Sequence, residues 1–360
     1  MFDTYKKEYS YPKKGDVLLS AAGTLGKKIV FNGEKAYFQD SNIVWLENDE
    51  SKVLNKYLYY FYDVIKWKKT SGSTIDRLYN ENILGAEIYY PDMATQKQIV
   101  NTLSLLDSKI ENNNKIISTL ESLAKTIYDY WFLQFEFPNE EGKPYKSSGG
   151  KMVWNEELKR EIPEGWEIHN ISDLCTLGNG INYDKKVTGD KTYKIVNVRD
   201  ISASSLLINK QDMNEISLPN ELANKYLVNK GDILIARSGT PGAVRLVLDT
   251  DNVIYCGFII HCLPNDLEDR FYLTFTLKLY EGTSATKTGG SILQNVSQDT
   301  LKSLTIPLPS KNILSSFNIK IKPLIDRMQL CIEENNQLAS LRDFLLPMLM
   351  NGQVTFKEDE

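Results

Sequence analysis

The side chains whose ordinary pKa best suits acid–base chemistry near neutral pH are two histidines, His169 and His261. Neither stands in a motif with a serine, cysteine or carboxylate partner. His261 lies among apolar residues beside Cys262 and reads as a strand or core residue. The four cysteines, Cys175, Cys256, Cys262 and Cys331, are scattered without metal-type spacing. That usage suits free thiols in a reducing compartment, with neither disulfides nor a metal site. Gly23-Thr24-Leu25-Gly26-Lys27-Lys28 has the flavour of a phosphate loop, but its spacing is wrong and no hydroxyl follows the lysine. No dinucleotide fingerprint occurs either. What remains is a set of glycine-bearing loops rich in Ser, Thr, Asn, Gln and Arg. Basic residues gather near them: Lys27 and Lys28, Lys66, Lys68 and Lys69, Lys185 and Lys186, Arg237 and Arg245. Any one of these taken singly reads as a solvated surface charge. Together, hydrogen-bonding loops without paired titratable groups fit recognition better than reaction.

The loops occur twice. Lys14-Gly15-Asp16-Val17-Leu18-Leu19 returns as Lys230-Gly231-Asp232-Ile233-Leu234-Ile235, and Gly23-Thr24-Leu25-Gly26 as Gly239-Thr240-Pro241-Gly242. Ser71-Gly72-Ser73-Thr74-Ile75 answers Thr288-Gly289-Gly290-Ser291-Ile292, each ahead of a short apolar strand ending at Pro91 or Pro309. A period of roughly 220 residues is far longer than the units of a solenoid. This is a duplicated module.

Each copy runs into a helical arm that must position it. In the first arm Leu103, Leu106, Ile110, Asn113, Ile117, Leu120, Ala124, Ile127 and Trp131 alternate spacings of three and four, a heptad seam. Asn113 is the polar residue that fixes register in such a seam. A helix over 95–133 would reach roughly 58 Å. The second arm carries Phe317, Ile321, Leu324, Met328, Cys331, Asn335, Leu338, Leu341, Leu345 and Met348, with a slip of frame between Leu338 and Leu341. Pro323 is expected to kink or restart it, and Asn351 and Gly352 to end it. The two greasy seams most simply satisfy each other as an antiparallel pair; the alternative is that each docks separately on its own domain or on another subunit.

The expected class is therefore α+β: two mixed α/β domains, the first partial, joined by two long helices in an antiparallel coiled coil. The segments are 1–92 for the first head, 93–134 for the first helix, 135–162 for a turn-rich connector, 163–309 for the second head, 310–352 for the second helix and 353–360 for a tail. Within the second head, β-rich runs cover 193–198, 232–236, 243–248 and 253–262, and 267–280 reads as helix. A hydrophobic content of 42% is ample for cores. No apolar run is long enough to cross a bilayer and the first residues have no signal-peptide architecture, so the expected location is the cytoplasm, away from membranes. The net charge of -5 argues mildly against a nucleic-acid binder, although local distribution is what counts.

Four stretches in order carry a resemblance: Ile162-Pro163-Glu164-Gly165-Trp166-Glu167-Ile168, the run from Lys230 to Gly239, Gly289 to Leu293 leading into Ile306-Pro307-Leu308-Pro309, and Asn335-Asn336-Gln337-Leu338-Ala339-Ser340-Leu341-Arg342. With a heptad helix after each copy, they make the chain resemble the specificity subunit of type I restriction-modification enzymes over nearly its whole length. The resemblance implies two target-recognition domains, each reading half of a split double-stranded DNA sequence, spaced by two antiparallel helices. It implies partners too: modification subunits that transfer methyl groups from S-adenosylmethionine, and restriction subunits that use ATP and magnesium to translocate and cut. No cofactor is expected on this chain, which would have no catalytic site of its own.

Under that resemblance, and because Arg reads guanine while Asn and Gln read adenine, the expected contacts in the second head are Lys185, Lys186, Arg199, Arg237, Ser238, Thr240, Arg245, Lys287, Ser291, Gln294 and Asn295. In the first they are Thr24, Lys27, Lys28, Lys69, Ser73 and Arg77. The chain departs from the family pattern at its front: Met1 aligns near Ser217, so a counterpart to 163–217 is expected to be missing. A gene fragment, a recombined phase-variable cassette, a trimmed chain or a segment supplied by another chain would each account for it. A coiled-coil interaction or structural protein with β-rich heads is the rival reading, and would self-assemble without affinity for DNA. A nuclease or methyltransferase with unrecognised motifs is a further one.

Overall fold

The computed structural model describes residues 2–22, 26–36, 42–65, 80–183, 188–281 and 296–356. They fall into two compact units: residues 1–112 with 334–360, and residues 113–333. The division cuts through both long helices, so it does not follow the expected segments. Each unit is built from one head and a part of both helices.

In the first unit helix α1 (Phe2–Glu8) leads to strands β1 (Val17–Ser20), β2 (Lys28–Val30) and β3 (Ile43–Trp45), then to helices α2 (Asn55–Val64) and α3 (Asn80–Leu84). The sheet order is β2-β1-β3, antiparallel throughout. Tyr-rich α2 is buried on two sides. Leu58 and Tyr62 pack with Val17 and Leu19 of β1. Tyr57, Tyr60 and Phe61 pack with Ile99 and Leu103 of α4 (Met93–Tyr128) and with Leu346, Leu349 and Met350 of α10 (Lys311–Met350). Gln96 pins the start of α4: fully buried, it donates from Nε2 to the carbonyls of Lys52 and Pro91 and accepts from Leu54 N at 3.0 Å.

The second unit holds most of the strands: β4 (Met152–Asn155), β5 (Arg160–Pro163), β6 (Glu167–Asn170), β7 (Cys175–Asn179), β8 (Lys191–Val196), β9 (Asn214–Leu218), β10 (Asp232–Ala236), β11 (Val244–Val247), β12 (Val253–Tyr255), β13 (Ile259–Pro264) and β14 (Thr305–Leu308). Its shorter helices are α5 (Ile171–Leu174), α6 (Val198–Ala203), α7 (Asn220–Ala223), α8 (Arg270–Leu279) and α9 (Gln298–Lys302). One sheet runs β11-β10-β13-β7 and another β12-β8-β9, with β14-β6 and β4-β5 as two-stranded pairs. Strand β10 is buried along its whole length because both its faces are covered. Ile233 and Ile235 face the aromatic core under α8 and the long helices, whereas Leu234 and Ala236 face the core shared with β8 and β12. That is the period-two alternation of a strand read onto two cores.

The duplication holds at the level of register. Val17 pairs with Val30 as Ile233 pairs with Leu246, and Leu18 pairs with Trp45 as Leu234 pairs with His261. The turn before the central strand is also the same. In the first copy Lys13 N donates to Asp16 Oδ2 (2.7 Å) and Gly15 N to Phe31 O; in the second Asn229 N donates to Asp232 Oδ2 (2.7 Å) and Gly231 N to Val247 O. Gly15 and Gly231 take φ of +99° and +88° there, which explains the repeated Lys-Gly-Asp. Helices α2 and α8 follow at matching places.

Three expectations are corrected. The run 253–262 is two strands, broken at Cys256-Gly257-Phe258, where Ile259 N donates back to Cys256 O and Gly257 N to Ile181 O. Pro323 does not restart the second arm: α10 is one continuous helix of 40 residues. Ile319, whose carbonyl loses its partner there, is on the exposed side, where water can take the bond. Leu341 is off the seam at 46% exposure, and Arg342, Leu345, Leu346 and Leu349 line the buried side instead. A straight helix drifts out of a strict heptad in this way.

The remaining seam residues lie where the spacing put them. Leu103, Asn113, Met328 and Cys331 are buried, and Leu106, Ile110, Ile117, Leu120, Leu324, Asn335 and Leu338 are half-buried. Within the first unit Arg342 pairs with Asp107 at 3.0 Å and Lys109 with Glu334 at 3.3 Å. Within the second, Trp131 and Phe132 pack edge-on or tilted against Phe317, at 5.8 and 4.8 Å. Rising numbers on α4 meet falling numbers on α10, so the helices are antiparallel in both. The first arm ends in a π turn over Asp129–Leu133, closed by Gln134 N to Asp129 O at 3.0 Å. That widened turn brings Tyr128, Trp131, Phe132 and, after a positive φ of 63°, Phe135 into one core. The connector is packed rather than loose: Phe137 and Ile162 join the same core.

Candidate nucleic-acid interface

Four backbone segments of the second unit meet at one end of its sheets. The β10–β11 turn carries Arg237, Ser238 and Thr240; the break between β12 and β13 carries Gly257 and Phe258; the segment after β7 carries Gly180 to Tyr183; and α6 begins at Val198. Hydrogen bonds join them. Arg237 N donates to Phe258 O at 2.9 Å, Ile181 N to Tyr255 O at 2.9 Å and Gly257 N to Ile181 O at 2.8 Å. The hydroxyls of Ser202 and Thr240 meet at 2.8 Å. Glycine is required at 180, where a Cβ would fall 2.2 Å from Cys256 O, so the segments approach closer than side chains allow.

The side chains on this end suit hydrogen-bonding recognition. Arg237 Nη1 donates to Gly257 O at 3.2 Å, and its buried Nε has no partner among the described residues. Ser238 is half-buried, whereas Asn182 and Thr240 are exposed. Arg199 is more constrained: it donates to Asp200 Oδ1, Asp212 O and Asn214 Oδ1, while 59% of its side chain remains exposed. Asp200 is itself fixed by the capping box at the start of α6.

Two expected contacts are structural instead. Arg245 is buried: its Nε donates to Ile201 O and Ser204 O at 3.1 and 2.8 Å, and its Nη1 to Val244 O at 2.7 Å and to Glu281. No donor of consequence is left for a phosphate. Lys28 is turned inward, with 7% of its side chain exposed, and is held by Asp63 and the Tyr59 carbonyl. Burial holds its ammonium below the ordinary lysine value, opposed by Asp63. Arg245 sits on β11, which is buried at every position, whereas Lys28 is turned in on β2, where Ile29 and Val30 are exposed. Lys27, one residue earlier, is exposed. Thr24, Lys69, Ser73, Arg77, Lys185, Lys186, Lys287, Ser291, Gln294 and Asn295 lie outside the described residues.

Sequence reasoning missed Asn182 and Phe258. Phe258 reads as one more apolar residue in a strand, and only the preceding Gly257 hinted at a break. His261, read as a strand or core residue, is on β13 and lies 2.8 Å from Asp232 Oδ2. Among the described residues no group of three or more His, Cys, Asp or Glu is placed to hold a metal ion, and no helix is long and apolar enough to cross a membrane.

The described residues thus form a duplicated head on antiparallel helices, with a loop-built polar end. The chain belongs to the family described as the type I restriction modification DNA specificity domain, which matches residues 2–122 and 163–338. It is 26% identical over 358 residues to the MjaIX type I restriction enzyme specificity subunit of Methanocaldococcus jannaschii, covering 96% of this chain and 79% of that one. It is 45% identical over 131 residues to a putative type I restriction enzyme specificity subunit of Haemophilus influenzae, a match spanning 36% of this chain and about a third (34%) of that protein. Its fold is similar to the crystal structure of the type I restriction-modification S subunit from M. genitalium, at 15% identity and a TM-score of 0.50, covering 98% of this chain and 86% of that one. The chain is thus a DNA-recognition subunit of the restriction-modification class.

Proposed function

We propose that this chain reads a bipartite double-stranded DNA target, one half with each head, and directs partner subunits that do the chemistry. Methyl transfer from S-adenosylmethionine would lie on modification subunits, and ATP- and magnesium-dependent translocation and cleavage on restriction subunits. The chain's own work is address reading in the cytoplasm. The observation that carries this reading is the identical strand register of the two heads, each continuous with one of two antiparallel helices. Two copies of one scaffold carrying different loop residues are what two different half-sites require.

Recognition of this kind separates into phosphate contacts, which set orientation and bring salt dependence, and base-edge contacts, which carry sequence. Lys27 and Arg199 suit the first role by exposure, and Arg237 the second by its partly unpaired fork. A gel-shift titration with and without the modification subunit tests the proposal, together with methylome sequencing of cells that express both. Weak binding alone, specific binding in the complex and a split methylated motif are expected. A complex that methylates DNA without sequence preference would end the proposal.

A further inference from the structure

The two heads share one tip position and fill it differently. In the second, Arg237 N donates to the carbonyl of Phe258 at 2.9 Å; in the first, Ala21 N donates to the carbonyl of Asn42 at 2.7 Å, at the same place in the register. The backbone is therefore the same while the side chain changes from a carboxamide to an aromatic ring. Phe258 is 62% exposed although Tyr255 and Ile259 on either side are buried. Its ring contributes nothing to the core that the flanking strands build. Its main chain is nonetheless held firmly, by Arg237 N and by the turn from Ile259 N to Cys256 O at 2.9 Å. Arg237, Asn182 and Thr240 are close along the same end of the sheets. A rigid apolar group projecting from a polar recognition surface has one use on a base-pair edge, contact with the 5-methyl group of thymine.

We propose that position 258 determines specificity in the second head, its ring reading a thymine methyl in the groove. Asn42 holds the corresponding position in the first head. This rests on the DNA-recognition role set out above and goes further in assigning a side chain and a base class.

The test uses the chain with its modification subunit. Methylome sequencing of wild type, Phe258→Asn and Phe258→Leu is paired with thermal melts of the purified complexes. Phe258→Asn should change the base at one position of one half-site, leave the other half as in wild type and leave Tm unchanged; Phe258→Leu, still apolar, should keep the motif. In a duplex carrying the wild-type motif, uracil in place of that thymine should weaken wild-type binding about tenfold, the scale of a lost base contact. Binding by Phe258→Asn should be indifferent to that replacement. An unaltered motif in Phe258→Asn, or a uracil duplex bound as tightly as the thymine one, overturns the assignment. So does a rise in 2-aminopurine fluorescence at that step on binding, which would put the ring in the base stack. Absence of any sequence-specific methylation by the wild-type complex would instead sink the recognition role itself.

Discussion

At the scale of single residues, burial sorts basic side chains that look alike in the sequence. Arg245 and Arg237 both lie beside the same turn, yet one is buried with its donors taken up by the fold and the other is half-buried with an unpaired Nε. Replacing Arg245 by Met should cost about 3 kcal/mol in chemical denaturation, because Glu281 and three main-chain carbonyls lose a buried donor. Arg237→Ala should leave stability nearly as it is and relax or weaken one half-site only, which the methylated motif would report. Lys28→Met is expected to change stability by no more than about 1 kcal/mol, since Asp63 keeps 47% of its side chain exposed and water can take up the carboxylate left behind. Burial lowers the Lys28 pKa, so its charge costs folding free energy at neutral pH, and that cost is relieved as pH rises through the lowered value. In the Met variant this alkaline gain should vanish, and a denaturation series across alkaline pH would show it. Lys27→Ala, by contrast, should weaken DNA binding about equally for all sequences and reduce the salt slope by about one contact.

At the scale of elements, the helices owe their pairing to side chains that the heptad rule locates in one arm and misplaces in part of the other. Phe317 meets Trp131 and Phe132 in the second unit, and truncating it to Ala should cost about 3–5 kcal/mol. Leu341→Gln should move stability by less than about 0.5 kcal/mol, because the helix carries that residue to its exposed side. Denaturation of the two variants side by side distinguishes the observed face from a strict heptad, which would have both matter. The central strands were legible because Lys-Gly-Asp demands a left-handed glycine and a side-chain cap at that turn. The break at Cys256-Gly257-Phe258 was not, since alternation cannot tell an outward aromatic from a buried one.

At the scale of the whole molecule, the proposed role makes the helices a spacer for two readers. Matched insertions of seven residues in α4 and α10 should alter the gap between half-sites while preserving both half-site sequences. An unchanged gap in the methylome of such a strain would count against the spacer. Antiparallel pairing in both units is why the insertions must be matched: lengthening one helix alone would take Asp107 away from Arg342, or Trp131 away from Phe317.

The sequence by itself determined the duplication, the turn chemistry of both heads, the helical arms and the family, because each is written in local spacing or in residue types that tolerate no substitute. Which cations are free to meet DNA, where the second seam runs after Leu338 and that Phe258 stands outward were decided only by the tertiary structure. These depend on which face of a strand or helix becomes buried. Burial is set by partners distant in the chain, such as Asp63 for Lys28 and Glu281 for Arg245, that no local pattern names.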